Sequence, residues 1–202
     1  MGNFVHLHVH TQYSILDGAS NIKKLVDRAK ALGMPGIAVT DHGNMFGIKE
    51  FIETVAKVNA PIIGQIKQIN AEIKELKKQE GENAEVAEKV KDLERQRDDL
   101  NPSLFKPIIG CETYVAVKSR LDRADKEDRH NHHLILIAKN MEGYHNLARL
   151  VSYGFTEGYY YKPRIDKELL RKYHAGLIAS SACLGGEIPQ AIMNGNVAEA
   201  ER

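Results

Sequence analysis

Strand-like and helix-like runs alternate along most of this sequence, and that alternation constrains the fold most. Residues 4–10 alternate polar and apolar side chains with the period of a strand. A helical pattern from Ile22 to Leu32 ends at Gly33, and a short apolar strand follows over residues 37–40. Further strands are predicted at residues 107–117, 133–138 and 177–180, and further helices at 48–58, 142–152, 166–173 and 188–194. The pattern predicts a parallel α/β fold, either a barrel or an open sheet with right-handed crossovers.

One stretch, residues 62–104, does not follow this rhythm. Apolar residues step by four and three from Ile62 to Leu76, and again from Val86 to Leu100, with Gly81 in the break between the runs. Heptad spacing on both sides of a glycine predicts an antiparallel, coiled-coil-like helical hairpin. Its charges are nearly balanced, so we interpret it as a solvated insertion that packs on itself; a partner-binding arm is the alternative.

Composition excludes several classes of protein. The chain has 202 residues, a net charge of +1 and two cysteines. It therefore lacks the basic surplus of a dedicated duplex binder and the cysteines of a disulfide framework. No apolar run approaches the roughly 18 residues of a membrane helix, so we expect no membrane contact and a cytoplasmic location. Nine histidines, several of them clustered, are the unusual feature.

The strongest chemical signal is the pair His8 and His10. Side chains at i and i+2 of a strand project to the same side, where two imidazoles can ligate one ion or two adjacent ions. The alternative is a row of polar residues on the wet face of an edge strand. Asp17 lies just beyond, as a turn residue or a bridging carboxylate. Asp41 and His42 directly follow the next strand, either as a turn with a helix cap or as ligands.

Three later residues extend this set. Glu112 lies in an apolar strand, where a carboxylate needs a cationic partner: a metal ion, or a Lys or Arg side chain. His133 opens the next strand and is the best candidate among His130, His132 and His133. Cys183 follows residues 177–180 and can ligate Zn²⁺ or Fe²⁺, with a nucleophilic thiol as the rival interpretation. Cys111 points to the opposite face and is interpreted as a small buried hydrophobe.

Together, these imidazoles, carboxylates and the thiol predict a site for two or three divalent ions (Zn, Mn or Fe). Neighbouring ions clamp a phosphate and activate water, so phosphoester hydrolysis is the reaction class that suits the cluster best.

Several segments resemble the PHP domain of bacterial DNA polymerase III alpha subunits. They are residues 4–18 (from Phe-Val-His-Leu-His to Leu-Asp-Gly), 38–47 (Ala-Val-Thr-Asp-His-Gly-Asn-Met-Phe-Gly), 106–112, 133–139, 161–166 and 181–189. The segments keep the family's order and cover the chain apart from the predicted hairpin. The later segments distinguish this family from a generic PHP phosphoesterase and from small-molecule phosphatases of the histidinol-phosphatase type.

The resemblance implies a distorted (β/α)7 PHP barrel over residues 1–202, truncated at the C-terminus. It also implies metal ligands at seven matching positions: His8, His10, Asp17, His42, Glu112, His133 and Cys183. Of these, Asp17 and His42 are the expected catalytic residues. The family's two remaining ligands belong to a later Asp-x-His motif that is not reached before Arg202, so an incomplete metal site is expected. The polymerising parts of the family lie outside this chain, which therefore cannot synthesise DNA.

Two functions follow from the resemblance, both in DNA replication. The first is a metal-dependent 3′–5′ exonuclease that proofreads within the full polymerase. The alternative is a catalytically silent scaffold that stabilises the polymerase and docks a separate proofreading exonuclease. The implied partners are DNA, bound through the full polymerase, and other replisome subunits. Lys162 and Arg164, beside Tyr159, Tyr160 and Tyr161, are predicted to form a nucleic-acid-binding rim; a solvated basic turn is the alternative.

Overall fold

A computed structural model describes residues 4–78, 84–124 and 126–201. The described strands are β1 (Gly36–Val39), β2 (Lys106–Ala116), β3 (Asn131–Ala138), β4 (Tyr159–Tyr160), β5 (Lys162–Ile165) and β6 (Leu177–Ser180). The described α-helices are α1 (Ile22–Ala31), α2 (Ile48–Lys78), α3 (Ala84–Leu100), α4 (Met141–Thr156), α5 (Lys167–Tyr173), α6 (Glu187–Met193) and α7 (Val197–Ala200). These bounds confirm the predicted strands β1, β2, β3 and β6 and the predicted helices α1, α4, α5 and α6 to within a few residues.

The strands form one mixed sheet in which β2 is central. The first part of β2 pairs with β1 in parallel, and the second part pairs with β3 in antiparallel orientation. The end of β2 also pairs with β5 in parallel, giving the order β4-β5-β2-β3-β6 with β1 beside β2. The prediction of a parallel sheet is therefore wrong at β3, which pairs in antiparallel orientation with both β2 and β6. The described residues between β2 and β3 contain no crossover α-helix, and β3 returns in antiparallel orientation. Closure into a barrel is not seen among the described residues, and the seven-stranded barrel stays a prediction.

The N-terminal segment, residues 4–10, was expected to be a strand but is not a regular one. It does run beside β1, because Ala38 N donates to His6 O and Thr40 N donates to Val9 O, both at 2.9 Å. The Thr40 hydroxyl accepts from Val9 N at 2.8 Å, so a side chain takes the place of one ladder bond. The segment is thereby held against the sheet without the regular register of a strand.

Two hydrophobic clusters hold the sheet and helices together. In the first, Val26 of α1 and Phe51 of α2 pack with Val39 of β1, and all three are at most 1% exposed. In the second, Cys111 of β2 and Leu136 of β3 pack against Leu147 of α4. The complete burial of Cys111 confirms its interpretation as a core residue, and burial raises the pKa of its thiol.

Helix α2 differs from its prediction, because it continues through Pro61 instead of ending before it. Pro61 lacks the N–H that would bond to the carbonyl of Lys57, and a proline inside a helix is costly. Both residues are exposed, so water can solvate the unpaired carbonyl. The first arm of the hairpin is therefore the second half of α2, and the insertion has no helix boundary at its first end.

The hairpin has a small core of its own. Ile73 of α2 packs against Val90 and Leu93 of α3, separate from the two main clusters. Ion pairs on its outside join Lys77 to Glu94 at 3.0 Å and Lys89 to Glu72 at 2.9 Å. The predicted turn at Gly81 lies outside the described residues.

At the neck of the hairpin, Asn59 and Phe105 are joined by two hydrogen bonds. The Asn59 amide donates to Phe105 O at 2.8 Å, and Phe105 N donates to Asn59 Oδ1 at 2.9 Å. Both residues are buried.

Among the described helices, none combines the length and apolarity needed to cross a lipid bilayer.

Candidate metal centre

The carboxylate of Glu112 is the centre of a cluster of imidazoles. Glu112 is only 1% exposed. Its Oε2 lies 3.2 Å from His8 Nε2 and 2.8 Å from His10 Nε2. The same oxygen is 3.0 Å from His42 Nδ1, while Oε1 is 2.8 Å from His133 Nδ1. Residues far apart in sequence thus converge on one buried carboxylate.

Asp17 lies on the solvent side of this cluster. Its Oδ2 is 3.0 Å from His42 Nε2, its Oδ1 is 3.8 Å from His10 Nδ1, and its side chain is 56% exposed. His42 therefore lies between two carboxylates, one buried and one at the mouth. Three overlapping groups have ligand atoms close enough to share an ion: His8, His10 and Glu112; His10, Asp17 and His42; His42, Glu112 and His133.

Cys183 completes the cluster at its rim. Its Sγ lies 3.4 Å from His133 Nδ1 and 3.8 Å from Glu112 Oε1. The sulfur also accepts a hydrogen bond from Gly185 N at 3.3 Å, and the preceding residue, Ala182, has a φ of 60°. The turn after β6 thus directs the thiol toward Glu112. All seven residues expected as ligands lie in one place.

Asp41, weighed in the sequence as a cap or a ligand, ties the N-terminal loop to the end of β1. Its carboxylate accepts hydrogen bonds from Thr11 N at 2.6 Å, from Thr11 Oγ1 at 2.8 Å and from Ser14 Oγ at 2.8 Å. Ser14 Oγ in turn accepts from His42 N at 3.1 Å. These buried bonds fix the loop that carries His10 and Asp17 relative to His42. The sequence indicated this role only by the position of Asp41 directly after a predicted strand. It did not reveal the partners Thr11 and Ser14.

The turn after Asp41 brings His42 beside Glu112 through the main chain. Glu112 N donates to Asp41 O at 3.1 Å, and Gly43 N donates to Glu112 O at 2.8 Å. Gly43 has a φ of +62°, and a Cβ there would lie 2.7 Å from Pro163 Cγ. Glycine is required because the turn both adopts a left-handed conformation and packs tightly against β5.

The electrostatics of the cluster depend on the balance between burial and imidazoles. Burial alone would raise the pKa of Glu112, but the rings of His10, His133 and His42 outweigh it, so the pKa of Glu112 is lowered. Burial would lower the pKa of His42, but Glu112 and Asp17 outweigh it, so the pKa of His42 is raised. The carboxylate therefore stays ionised and attracts positive charge.

The cluster fits divalent ions on two counts. His42 Nδ1 and Glu112 Oε2 are buried and have no well-directed hydrogen bond, although they are 3.0 Å apart. Ligand atoms about 2.0–2.1 Å from a common ion are separated by roughly 3 Å. Imidazole nitrogen, carboxylate oxygen and thiolate sulfur together suit Zn, Mn or Fe ions. Such ions would satisfy the orphaned atoms, which is a physical reason for burying them here.

Tyr114 is part of the site and was missed in the sequence. Its ring stacks on His42 with centroids 5.8 Å apart and meets His133 edge-on at 5.2 Å. Burial, with the nearby charge of Glu112, raises the pKa of Tyr114 to about 12. The signal was available, because Tyr114 follows Glu112 by two residues and so shares its face of β2. The ammonium of Lys162 also lies over the Tyr114 ring, with Nζ 4.2 Å from the centroid.

Arg164 does not form the rim that the sequence predicted. It is 1% exposed, and its guanidinium donates to the carbonyl oxygens of Gly158, Asp128, Arg120 and Asp122 at 2.6–3.1 Å. A guanidinium with its donors used on main-chain carbonyls cannot receive a phosphate. Arg164 instead holds together the loops at the end of β2, and only Lys162 of the predicted pair remains available.

The remaining histidines lie outside the cluster. His145 and His174 are exposed on or beside helices, as the sequence predicted. His130 is also exposed, and His132 belongs to β3 next to His133, where alternation turns it to the other face.

Comparison with known proteins identifies a family and relatives with similar sequences. The sequence profile of a family described as "PHP domain" matches residues 6–202. A "DNA polymerase III subunit alpha" from Treponema pallidum is 41% identical over 200 residues, which are 98% of this chain and 13% of the relative. The protein of the same description from Helicobacter pylori strain J99 is 42% identical over 185 residues, 92% of this chain and 11% of the relative. The one from Aquifex aeolicus is 40% identical over 190 residues, 91% and 12% respectively. The chain thus spans about an eighth of the length of these relatives.

Proposed function

Because the chain belongs to the PHP domain family, we propose that the cluster around Glu112 is a multinuclear metal centre that hydrolyses phosphodiester bonds. Within a full-length DNA polymerase III alpha subunit, the centre acts as a 3′–5′ exonuclease that removes misincorporated nucleotides during DNA replication. DNA and other replisome subunits are the partners of that full-length protein.

One observation carries the proposal. A carboxylate that is 1% exposed is surrounded by four imidazoles at 2.8–3.2 Å, and two of the contacting atoms have no well-directed hydrogen bond. A buried ionised carboxylate is expensive unless cations balance it. Keeping so many ligand types in one cluster is the arrangement expected of a site that binds metal, because a structural core gains nothing from it.

All seven residues would hold the ions, and Asp17 and His42 would also form a catalytic pair. His8, His10, Glu112, His133 and Cys183 would hold two or three divalent ions (Zn, Mn or Fe) together with Asp17 and His42. When bound, the ions supply Lewis-acid activation of a phosphate and of water at neutral pH. Asp17 is the exposed carboxylate at the mouth, 3.0 Å from His42 Nε2. Asp17 Oδ2 and His42 Nε2 are thus placed to accept and hold a proton from the attacking water.

The test compares two pairs of histidines. A full-length polymerase carrying this domain is incubated with a primer that has a mismatched 3′ end, in Mn²⁺, Zn²⁺ or Fe²⁺. We expect His8→Ala combined with His10→Ala to abolish release of the terminal nucleotide, because both rings leave the cluster. The matched control, His145→Ala combined with His174→Ala, removes two exposed imidazoles outside the cluster and should cleave like the native protein.

Equal cleavage by both double variants would refute the proposal, because another site would then be responsible. If the native protein binds metal but releases no nucleotide, the exonuclease assignment fails. The domain would then serve as a scaffold for a separate proofreading exonuclease.

A further inference from the structure

A row of exposed aromatic side chains lies beside the candidate metal centre. We propose that this row, formed by Phe46, Phe155 and Tyr159, binds the unpaired bases of a single-stranded nucleic acid whose end enters the centre. The inference rests on the proposed function and specifies its substrate as a frayed or single strand, not a paired duplex.

The three rings are contiguous although they come from separate elements. Phe46 and Phe155 have centroids 5.7 Å apart, and Phe155 and Tyr159 are stacked at 6.4 Å. Their exposed fractions are 63%, 38% and 53%. A single exposed apolar residue needs no explanation, but a contiguous aromatic row on the surface indicates a binding site.

Pro163 connects the row to the metal centre. The turn at Gly43, next to the ligand His42, packs against the Pro163 ring. Tyr159 pairs with Pro163 across β4 and β5, and Gly154, which precedes Phe155, packs against the backbone of Pro163. Pro163 is therefore flanked by Tyr159, by the residue that precedes Phe155 and by the turn that carries His42.

The row is also close enough to the centre for one strand to reach both. Phe46 lies four positions after His42, which limits their Cα separation to about 14 Å. That length corresponds to about four stacked nucleotides at roughly 3.4 Å each. A strand that stacks on the row could thus place its terminal phosphodiester among the ligands.

A fixed positive charge completes the pattern. Lys162, adjacent to Pro163, holds its ammonium 4.2 Å above the ring of Tyr114, and that ring stacks on His42. Aromatic faces for bases, with a cation for the backbone beside them, are how proteins bind single strands without sequence preference. The net charge of +1 provides no broad basic face for a duplex, whose bases in any case hide their faces in the stack.

The experiment measures binding separately from hydrolysis. Fluorescence anisotropy follows a labelled twelve-nucleotide oligothymidine in EDTA, so the result does not depend on the metal centre or its activity. We expect Phe46→Leu combined with Tyr159→Leu to weaken binding about 10- to 100-fold, because leucine keeps the apolar volume but loses the stacking face. Phe4→Leu is the matched control, since Phe4 is an equally exposed aromatic residue, at 58%, outside the row. Melting curves verify that each variant is folded.

A second variant tests the charge. Lys162→Gln should weaken binding and reduce the slope of log Kd against log salt by about one, as expected for one lost phosphate contact. Three results overturn the proposal: native protein that binds no single strand, equal binding by the double variant and the control, or tighter binding of a duplex than of the single strand. If the native protein binds the single strand but does not hydrolyse it, only the proposed function is refuted.

Discussion

At the scale of single residues, Glu112 has the most demanding environment. It is the most buried member of the cluster, and the net effect of its surroundings is to lower its pKa. Because its two oxygens face different imidazoles, one carboxylate contributes to more than one of the overlapping ligand groups. Replacing it should therefore affect several ions together.

We expect Glu112→Gln to weaken Mn²⁺ and Zn²⁺ binding at least about tenfold, because an amide cannot supply the negative charge that faces several ions. Isothermal titration calorimetry gives both affinity and stoichiometry. Glu53→Gln is the control, because it removes an exposed carboxylate that pairs with Lys49 and belongs to none of the three candidate ligand groups. Unchanged affinity in Glu112→Gln would remove this residue from the centre.

Asp166 allows a prediction about pH. Burial would raise its pKa, but the N–H groups of Leu169 and Arg120 and the Arg120 guanidinium outweigh it, so its pKa is below the ordinary 3.8. A carboxylate with a lowered folded pKa stabilises the protein above its unfolded pKa, and this contribution is lost as pH falls through the folded value. Asp166→Asn should therefore cost about 2–3 kcal/mol at pH 7. The difference between native and variant should shrink below about pH 4.

Urea denaturation at pH 7 and at pH 3 measures both free energies of unfolding. Asp122→Asn, which removes a partly buried carboxylate that accepts one hydrogen bond from Ser119 N, serves as the comparison. A difference between native protein and Asp166→Asn that stays constant with pH would show that the charge of Asp166 does not matter.

At the scale of elements, α2 offers the clearest experiment. Pro61 lies on the exposed side of a continuous helix, where it removes one hydrogen bond. Pro61→Ala should raise the free energy of unfolding by about 2 kcal/mol, since the gain of about 3 kcal/mol in the helix is partly offset by a more flexible unfolded chain. Gln65→Ala, a nearby exposed helical position, should change it by less than about 0.5 kcal/mol. Thermal melts of both variants check this, and a lower Tm for Pro61→Ala would contradict it.

The elements also show what a sequence can and cannot reveal. Periodicity identified α1, β2 and β3 because their apolar residues pack into the two main hydrophobic clusters. It misjudged Pro61, because the cost of a proline depends on whether water reaches the carbonyl it leaves unpaired. It missed β4 and β5, which are short. Strand β5 forms by pairing with the end of β2, and β4 forms by pairing with β5.

The same distinction holds for the site. The ligand types and their places after strands were readable, because strand ends converge in sheets of this kind. The burial of Arg164 could not be predicted from the sequence. Its four carbonyl partners lie in loops, and local sequence patterns do not predict the path of these loops. The stacking of Tyr114 on His42 likewise depends on tertiary contacts.

At the scale of the whole molecule, we expect the hairpin to be separable from the rest. Its small core of Ile73, Val90 and Leu93 is distinct from the two main clusters, and Asn59 bonds Phe105 across its neck. We expect replacement of residues 62–103 by a short Gly-Ser linker to leave a folded protein, because Phe105 and the main clusters are retained.

Circular dichroism and metal titration of the shortened chain check this, with native metal affinity as the expected outcome. A matched variant that also carries Asn59→Ala should melt at a lower temperature, because the buried main-chain groups of Phe105 then lose their partner. A shortened chain that fails to fold would show that the hairpin supports the sheet.

The closed neck has a consequence for how this domain varies among its relatives. The two hydrogen bonds between Asn59 and Phe105 fix where the chain leaves the main fold and where it returns. The number of helical turns in the hairpin beyond them is therefore not set by the main core. Arms that grow or shrink by seven residues each would keep the Ile73–Val90–Leu93 seam in phase. Length differences between relatives should therefore concentrate in the hairpin, with both arms longer or shorter by seven residues. The distance between β1 and Glu112 should stay constant.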